Sequence, residues 1–364
     1  MGINDFIVLI VAGFLCLGAI DRILGNKLGL GQRFTDGIMT MGSLTLSMVG
    51  IISLAPVLAS ILTPIIAPIY SLVGADPAAF ANTILAIDMG GYSLAKEMAQ
   101  SSEAELFSWV FLGTMMGPTI VFTIPVALGI IEKEDQPYFA KGVLLGLITI
   151  PIGCLIGGLA AKLDFVMIIK NLIPTILFSI IIAWGLWKKP EKMIWGFSIF
   201  GKGIEVVAIV GLSAIIVETL TGITVIPNLA PLDEGIKIVG SIAIFLAGAF
   251  PMVTFISKYL KKYLARIGSW IGISDTSTAG LVASLAHNIP MLAMLKEMEP
   301  RGKVINVAFA VSGAFVFGSH LAFVAGVNKE IVLAMIIGKL AGGISAIILA
   351  MVTLPHARKQ KMDE

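Results

Sequence analysis

The sequence predicts an all-α polytopic membrane protein made of two inverted repeats, each with a re-entrant hairpin or broken helix. Three observations lead there: the solvent the composition demands, an internal repeat, and the placement of basic residues. Hydrophobic residues make up 57% of the chain, charged residues 13%, and mean hydropathy is +0.97, well outside the soluble range. Runs such as IVLIVAGFLCLGAI, SIIIAWGLW and VVAIVGLSAIIV carry no charge, and each can be extended by its neighbours toward the roughly 20 apolar residues that cross a bilayer. The first run is no cleavable leader: MGINDF has no basic n-region, and Asp21-Arg22 follows without a small-residue cleavage pattern.

The repeat sets the elements. GIMTMGSLTLSMVG at 37–50 resembles GIKIVGSIAIFLAG at 235–248, and LAIDMGGYSLAKEM at 85–98 resembles LAHNIPMLAMLKEM at 285–298. Gly113 and Gly117-Pro118 then correspond to Gly313 and Gly318-Ser319. In the first half the elements fall near 5–23, 37–58, 60–72, 77–97, 106–130 and 139–161. The second copy runs near 203–220, 236–256, 258–271, 276–297, 303–326 and 331–353, and an unmatched span near 167–187 joins the two. The organisation is therefore a first repeat (1–165), a linking helix and cytoplasmic loop (166–196), and a second, inverted repeat with a short basic tail (197–364).

Loop charges give orientation. Arg22, Lys27 and Arg33 flank the first loop, Lys188, Lys189, Lys192 and Lys202 crowd the central one, and Arg358, Lys359 and Lys361 end the chain. Residues 59–76 and 221–235 hold no Lys or Arg. All basic loops share the cytoplasmic side only if 276–297 enters and leaves on one side as a re-entrant hairpin. The N-terminus is then outside and the C-terminus inside, with SKYLKKYLARIGSW lying along the inner surface as an amphipathic helix.

Interrupted segments at membrane depth are tolerated only when buried in protein or lining a polar cavity, so paired ones mark a solute pathway. Asp88, beside Gly90 and Gly91, is the strongest binding candidate. A mid-bilayer carboxylate costs at least ~2.5 kcal/mol, and a small cation would justify it; capping a half-helix is the structural alternative. Asn288 holds the equivalent position and, with Pro290 breaking the helix, suits a hydroxyl or interhelical glue. His287 is a structural donor or a pH-sensitive group. Thr119, Ser319 and His320 stand where glycine and proline interrupt the following spans, and Asn82 is a weaker candidate. Gly153 and Gly157, with Gly338 and Gly342, have the spacing of close helix packing.

Other classes are disfavoured. A formal charge of +2 carried in loops argues against nucleic acid. Two cysteines within apolar runs and three scattered histidines make neither a disulfide framework nor a metal site, and no catalytic or cofactor motif occurs.

The stretches MGIND, AIDRI, GIMTMGSLTLSMVGIISLAPVLA, ILAIDMGGYSLAKE, GTMMGPTIVFTIPVALGIIE, ITIPIGC, NIPMLAMLKEMEPRGKVINVAFAVS and IIGKLAGG resemble the ethanolamine permease family of ethanolamine-utilisation operons, over nearly the whole chain. The resemblance implies uptake of ethanolamine across the inner membrane. Asp88 would then take the ammonium, and Asn288 or Thr119 the hydroxyl. Paired hairpins are analogous to those of elevator transporters, whose scaffolds are often homodimeric. A coupled transporter of another small solute and an intramembrane enzyme acting on ethanolamine-containing lipid are the alternatives.

Overall fold

Lipid offers no partner to a free N–H or C=O, so a spanning chain must satisfy its own backbone. The computed structural model describes residues 2–259, 266 and 268–354, and among these the regular structure is helical. Eight helices of the described residues are long and apolar enough to cross a membrane. They are Ile3–Ile23, Leu30–Ser71, Ser102–Ala127, Lys133–Ala160, Phe165–Lys188, Glu191–Thr221, Leu232–Tyr259 and Lys329–Thr353. The chain is a multi-pass membrane protein.

Three elements differ from expectation. The first is the central basic loop, since Lys192 and Lys202 lie inside the helix Pro190–Thr221, which begins two residues after Lys188 ends the preceding helix. The segments at 37–58 and 60–72 form one helix of 42 residues, relaxed by a π-helical stretch at Thr45–Val49 and carrying Pro56, Pro64 and Pro68 inside it. Each proline removes one donor, whereas a true break in lipid would orphan several groups, so the helix continues. The span at 303–326 is instead broken into Pro300–Gly313 and Ser319–Val327. Its opposite number in the first half, at 117–119, stays helical and loosens into π-helical turns at Ser108–Leu112 and Thr119–Thr123. The expected surface helix at 258–271 and the basic tail fall largely outside the described residues.

Both interrupted segments double back. In the first, Ala78–Ile84 packs beside Gly91–Met98 across the short turn Ile87–Met89. In the second, Asp275–Ala286 packs against Asn288–Ala293 across an extended His287. Each hairpin is closed at its base by one carboxylate. Asp76 accepts from the backbone N–H groups of Gln100 (3.0 Å) and Ser101 (3.2 Å), joining entry to exit. Glu299 accepts from the Ser274 backbone (3.0 Å), the Ser274 hydroxyl (2.5 Å) and the Ser277 hydroxyl (2.8 Å). The carboxylate sits before the hairpin in one half and after it in the other.

Two helices, one from each half, meet along their glycines. A methyl group at Gly153 would lie 2.8 Å from the Gly338 carbonyl oxygen and 3.1 Å from the Gly342 Cα, and one at Gly157 would lie 2.9 Å from the Gly338 Cα. These obstacles are backbone and cannot rotate away. The small-residue spacing is therefore a seam within the chain.

The Glu299 clasp makes the stability of the second hairpin depend on acid. Burial works to raise its carboxyl, but the hydrogen bonds from Ser274 and Ser277 outweigh it and hold the group below the ordinary range. Stability from the clasp is present above the ordinary glutamate range and is lost as pH falls through the lowered folded-state value. Glu299→Gln is expected to lose about 1.5–3 kcal/mol, the worth of hydrogen bonds to a charged group, and to speed hydrogen exchange over 274–298 more than over 76–100. Equal acceleration in both hairpins would refute a local clasp.

Candidate binding site

Each hairpin break lies against the helix that follows it because a glycine there lets the backbone approach. At Gly117 a side chain would collide with the Leu85 carbonyl, and at Gly318 with the Ala286 carbonyl. In the second half two further hydrogen bonds stitch the breaks together, from the Phe315 N–H to the Ser284 carbonyl (3.0 Å) and from the Phe317 N–H to the Leu285 carbonyl (2.9 Å). Leu85 and Ala86 are extended, Asp88 lies in the bridge region (φ −91°, ψ 15°), and Gly90 is left-handed at φ 83°. A side chain at Gly90 would also strike Ile51. Glycine is thus required there twice over, once by the backbone and once by space.

A cavity of about 360 Å³ opens where these breaks face the two long helices Leu30–Ser71 and Leu232–Tyr259. Thr40, Ser43, Ser47, Leu246 and Phe250 line the long-helix side, with Asp88, Met89, Phe122, His287, Phe315, Ser319 and His320 opposite. Asp88 is half-buried and the one carboxylate among the described residues lining the cavity. Ser319 is positioned to hydrogen-bond it. Of the sequence candidates, the structure gathers Asp88, His287, Ser319 and His320 on this wall. His287 Nδ1 accepts from the Ile289 N–H (3.1 Å), while His320 is buried and its Nδ1 has no partner.

The other candidates lie off the wall and hold the breaks in shape. Asn288 donates to Thr123 Oγ1 (2.9 Å), and Thr119 donates to the Met115 carbonyl (2.8 Å). Asn82 donates to the Gly91 carbonyl (3.1 Å) and Ser108 Oγ (3.0 Å), and its amide oxygen fills the space where side chains at Gly91 and Gly113 would stand.

Sequence reasoning missed Lys339. It is 1% exposed, in mid-helix, and donates to the Thr114 carbonyl (2.5 Å). It interacts electrostatically with Asp88, and Cys154 lies in its surroundings too. The signal was present: Lys339 is the sole charge in the run 332–353. No ion pair joins the two among the described residues, so Lys339 acts on Asp88 through space and leaves the carboxylate open to a cation in the cavity. Across the cavity the Thr40, Ser43 and Ser47 hydroxyls each donate to a carbonyl of their own helix, which leaves their oxygens as acceptors for a solute's polar end.

The family model for the ethanolamine utilisation protein EutH matches residues 3–353. The uncharacterized protein YxeR of Bacillus subtilis (strain 168) is 63% identical, covering 99% of this chain and 98% of its own length. The probable ethanolamine permease EutH of Listeria monocytogenes is 59% identical over 95% of this chain and 93% of its own. That of Salmonella typhimurium is 45% identical over 98% and 96%. No solved structure matches the chain.

If Lys339 and Asp88 share one field, their removal is not additive. Lys339→Met and Asp88→Asn are each expected to destabilise the detergent-solubilised protein by about 0.5–3 kcal/mol, the usual range for one substitution. The double variant should lose less than the sum, with a coupling of about 0.5–3 kcal/mol. Denaturant unfolding of the four proteins measures it, and strict additivity would show two independent charges.

Proposed function

Since the chain belongs to the ethanolamine utilisation protein EutH family, we propose that it is a permease carrying ethanolamine, as the protonated cation, across the inner membrane into the cytoplasm. The observation that carries this reading is the single carboxylate on the cavity wall, set among neutral hydroxyls and rings. Asp88 takes the ammonium, and Ser319 or the Thr40, Ser43 and Ser47 side takes the hydroxyl. Asn288, Thr119, Asn82, Gly90 and Gly91 serve the site by shaping it rather than by touching solute. No step in this scheme breaks a covalent bond, which is why we read the protein as a transporter and not an enzyme.

The placement of the cavity supports an elevator-like cycle. Both hairpins and the broken helix lie on one wall, and the long helices lie on the other. A hairpin-bearing body sliding along the long helices would carry the solute while leaving its contacts to the hairpins intact. Hairpins tied at their bases support the orientation drawn from loop charge, with inverted halves, N-terminus outside and C-terminus in the cytoplasm. We take the assembly to be a homodimer by analogy with such scaffolds, and light scattering in detergent tests it.

Proteoliposomes provide the main test. Intact labelled ethanolamine should enter vesicles holding the protein, and Asp88→Asn should reduce entry at least tenfold with insertion unchanged. The neutral amine crosses lipid unaided, while the cation bears the cost of entering hydrocarbon. Protein-dependent entry should therefore dominate at acid external pH and fade against leakage at alkaline pH. Near-normal uptake by Asp88→Asn would make this carboxylate a structural cap. For orientation, single cysteines at Ser269 and Lys296 should stay unlabelled by an impermeant reagent in sealed cells, while one at Leu72 reacts. Outside labelling at either of the first two would end the inverted-repeat reading.

A further inference from the structure

Ethanolamine has four heavy atoms, yet the cavity measures about 360 Å³, inside the range of roughly 300–1,000 Å³ that holds whole drug-sized ligands. The excess room is bounded by rings. Phe122, Phe250, Phe315, His287 and His320 all line it together with Asp88. Phe315 stands at the centre, its ring 4.9 Å from each of His287 and His320 and 5.8 Å from Phe122, in tilted or edge-on arrangements. His287 Nδ1 accepts a backbone hydrogen bond and so carries no proton, which leaves the ring neutral toward a neighbouring cation.

Phe315 is held there against its backbone preference. Its φ is +60°, the left-handed region, which strains a bulky residue. Glycine would occupy the same turn without that strain. A ring retained at a strained position, facing a cavity with one carboxylate, has the makings of an aromatic cage for an alkylated ammonium. In such cages the ring faces attract the cation through their quadrupoles, and methyl groups fill the apolar space.

Resting on the ethanolamine reading above, we infer that the same site accepts N-methylated ethanolamines, up to the quaternary trimethyl form, choline. Asp88 supplies the charge attraction common to the series, since a quaternary nitrogen needs no hydrogen bond to be held by a carboxylate. The Phe122 and Phe315 rings supply the part that grows with methylation. The hydroxyl end is the same throughout.

Purified full-length protein in detergent, titrated with labelled ethanolamine and labelled choline, tests this directly. Monomethyl- and dimethylethanolamine serve as competitors, and the uncharged carbon isostere of choline serves as control. Methylated amines should displace labelled ethanolamine within a few-fold of the parent concentration, and the isostere should not. Phe315→Leu and Phe122→Leu should weaken choline about tenfold more than they weaken ethanolamine, the scale of a desolvated cation–π contact. Ethanolamine binding without displacement by any methylated amine overturns the inference and leaves the permease reading standing. Choline binding without ethanolamine binding supports the cage and overturns the permease reading instead. Equal losses for both amines in the leucine variants would reduce the rings to packing and overturn the inference, as would binding of neither amine.

Discussion

Backbone polar groups with no water to turn to are the constraint around which this molecule is arranged. Most of the chain meets it by running in unbroken helices, even where Pro56, Pro64 and Pro68 make that expensive. Where the chain does break, neighbours close in on the freed groups. Gly117 admits the Leu85 carbonyl, Gly318 admits the Ala286 carbonyl, and the Phe315 and Phe317 N–H groups reach Ser284 and Leu285. The cavity is what remains when those obligations are met: a place where backbone is irregular, side chains converge, and some polarity is left over for a guest.

Much of this was legible from the residues. Apolar runs marked the spans, and the match of 85–98 to 285–298 marked two interrupted segments that the structure shows doubled back. Asp88, His287, Ser319 and His320 stood out because polar residues beside Gly or Pro in an apolar run are rare, and the cavity gathers all four. Asn82, Asn288 and Thr119 carried the same signal for a different reason, since a broken helix needs side-chain partners whether or not it binds anything. Residue type cannot separate those two needs; direction of the side chain does. The long-helix wall of Thr40, Ser43 and Ser47 was illegible, because hydroxyls in membrane helices commonly bond their own backbone, as these also do.

The span boundaries teach a related lesson. Proline at 56, 64 and 68 reads as punctuation in water, yet the helix runs through it. No proline lies in 303–326, yet the helix breaks at 314–318, where tertiary hydrogen bonds to the second hairpin replace those the helix gives up. Propensity acts locally, and here a non-local partner prevailed. Lys339 escaped notice by the opposite error. It is one charge in a long apolar span, although a buried charge there is as costly as a carboxylate.

The glycine seam between Gln136–Ala160 and Val332–Thr353 has a consequence for substitution. Neither surface can grow: a larger residue at 153 or 157 meets backbone at 338 and 342, where glycine leaves nothing further to remove. All four positions are therefore held at the smallest side chain, although they lie far apart in the chain. The contact is closed to enlargement from either side, whereas the hairpin tips are not so bound, and there the matched positions hold different residues, Asp88 and Asn288.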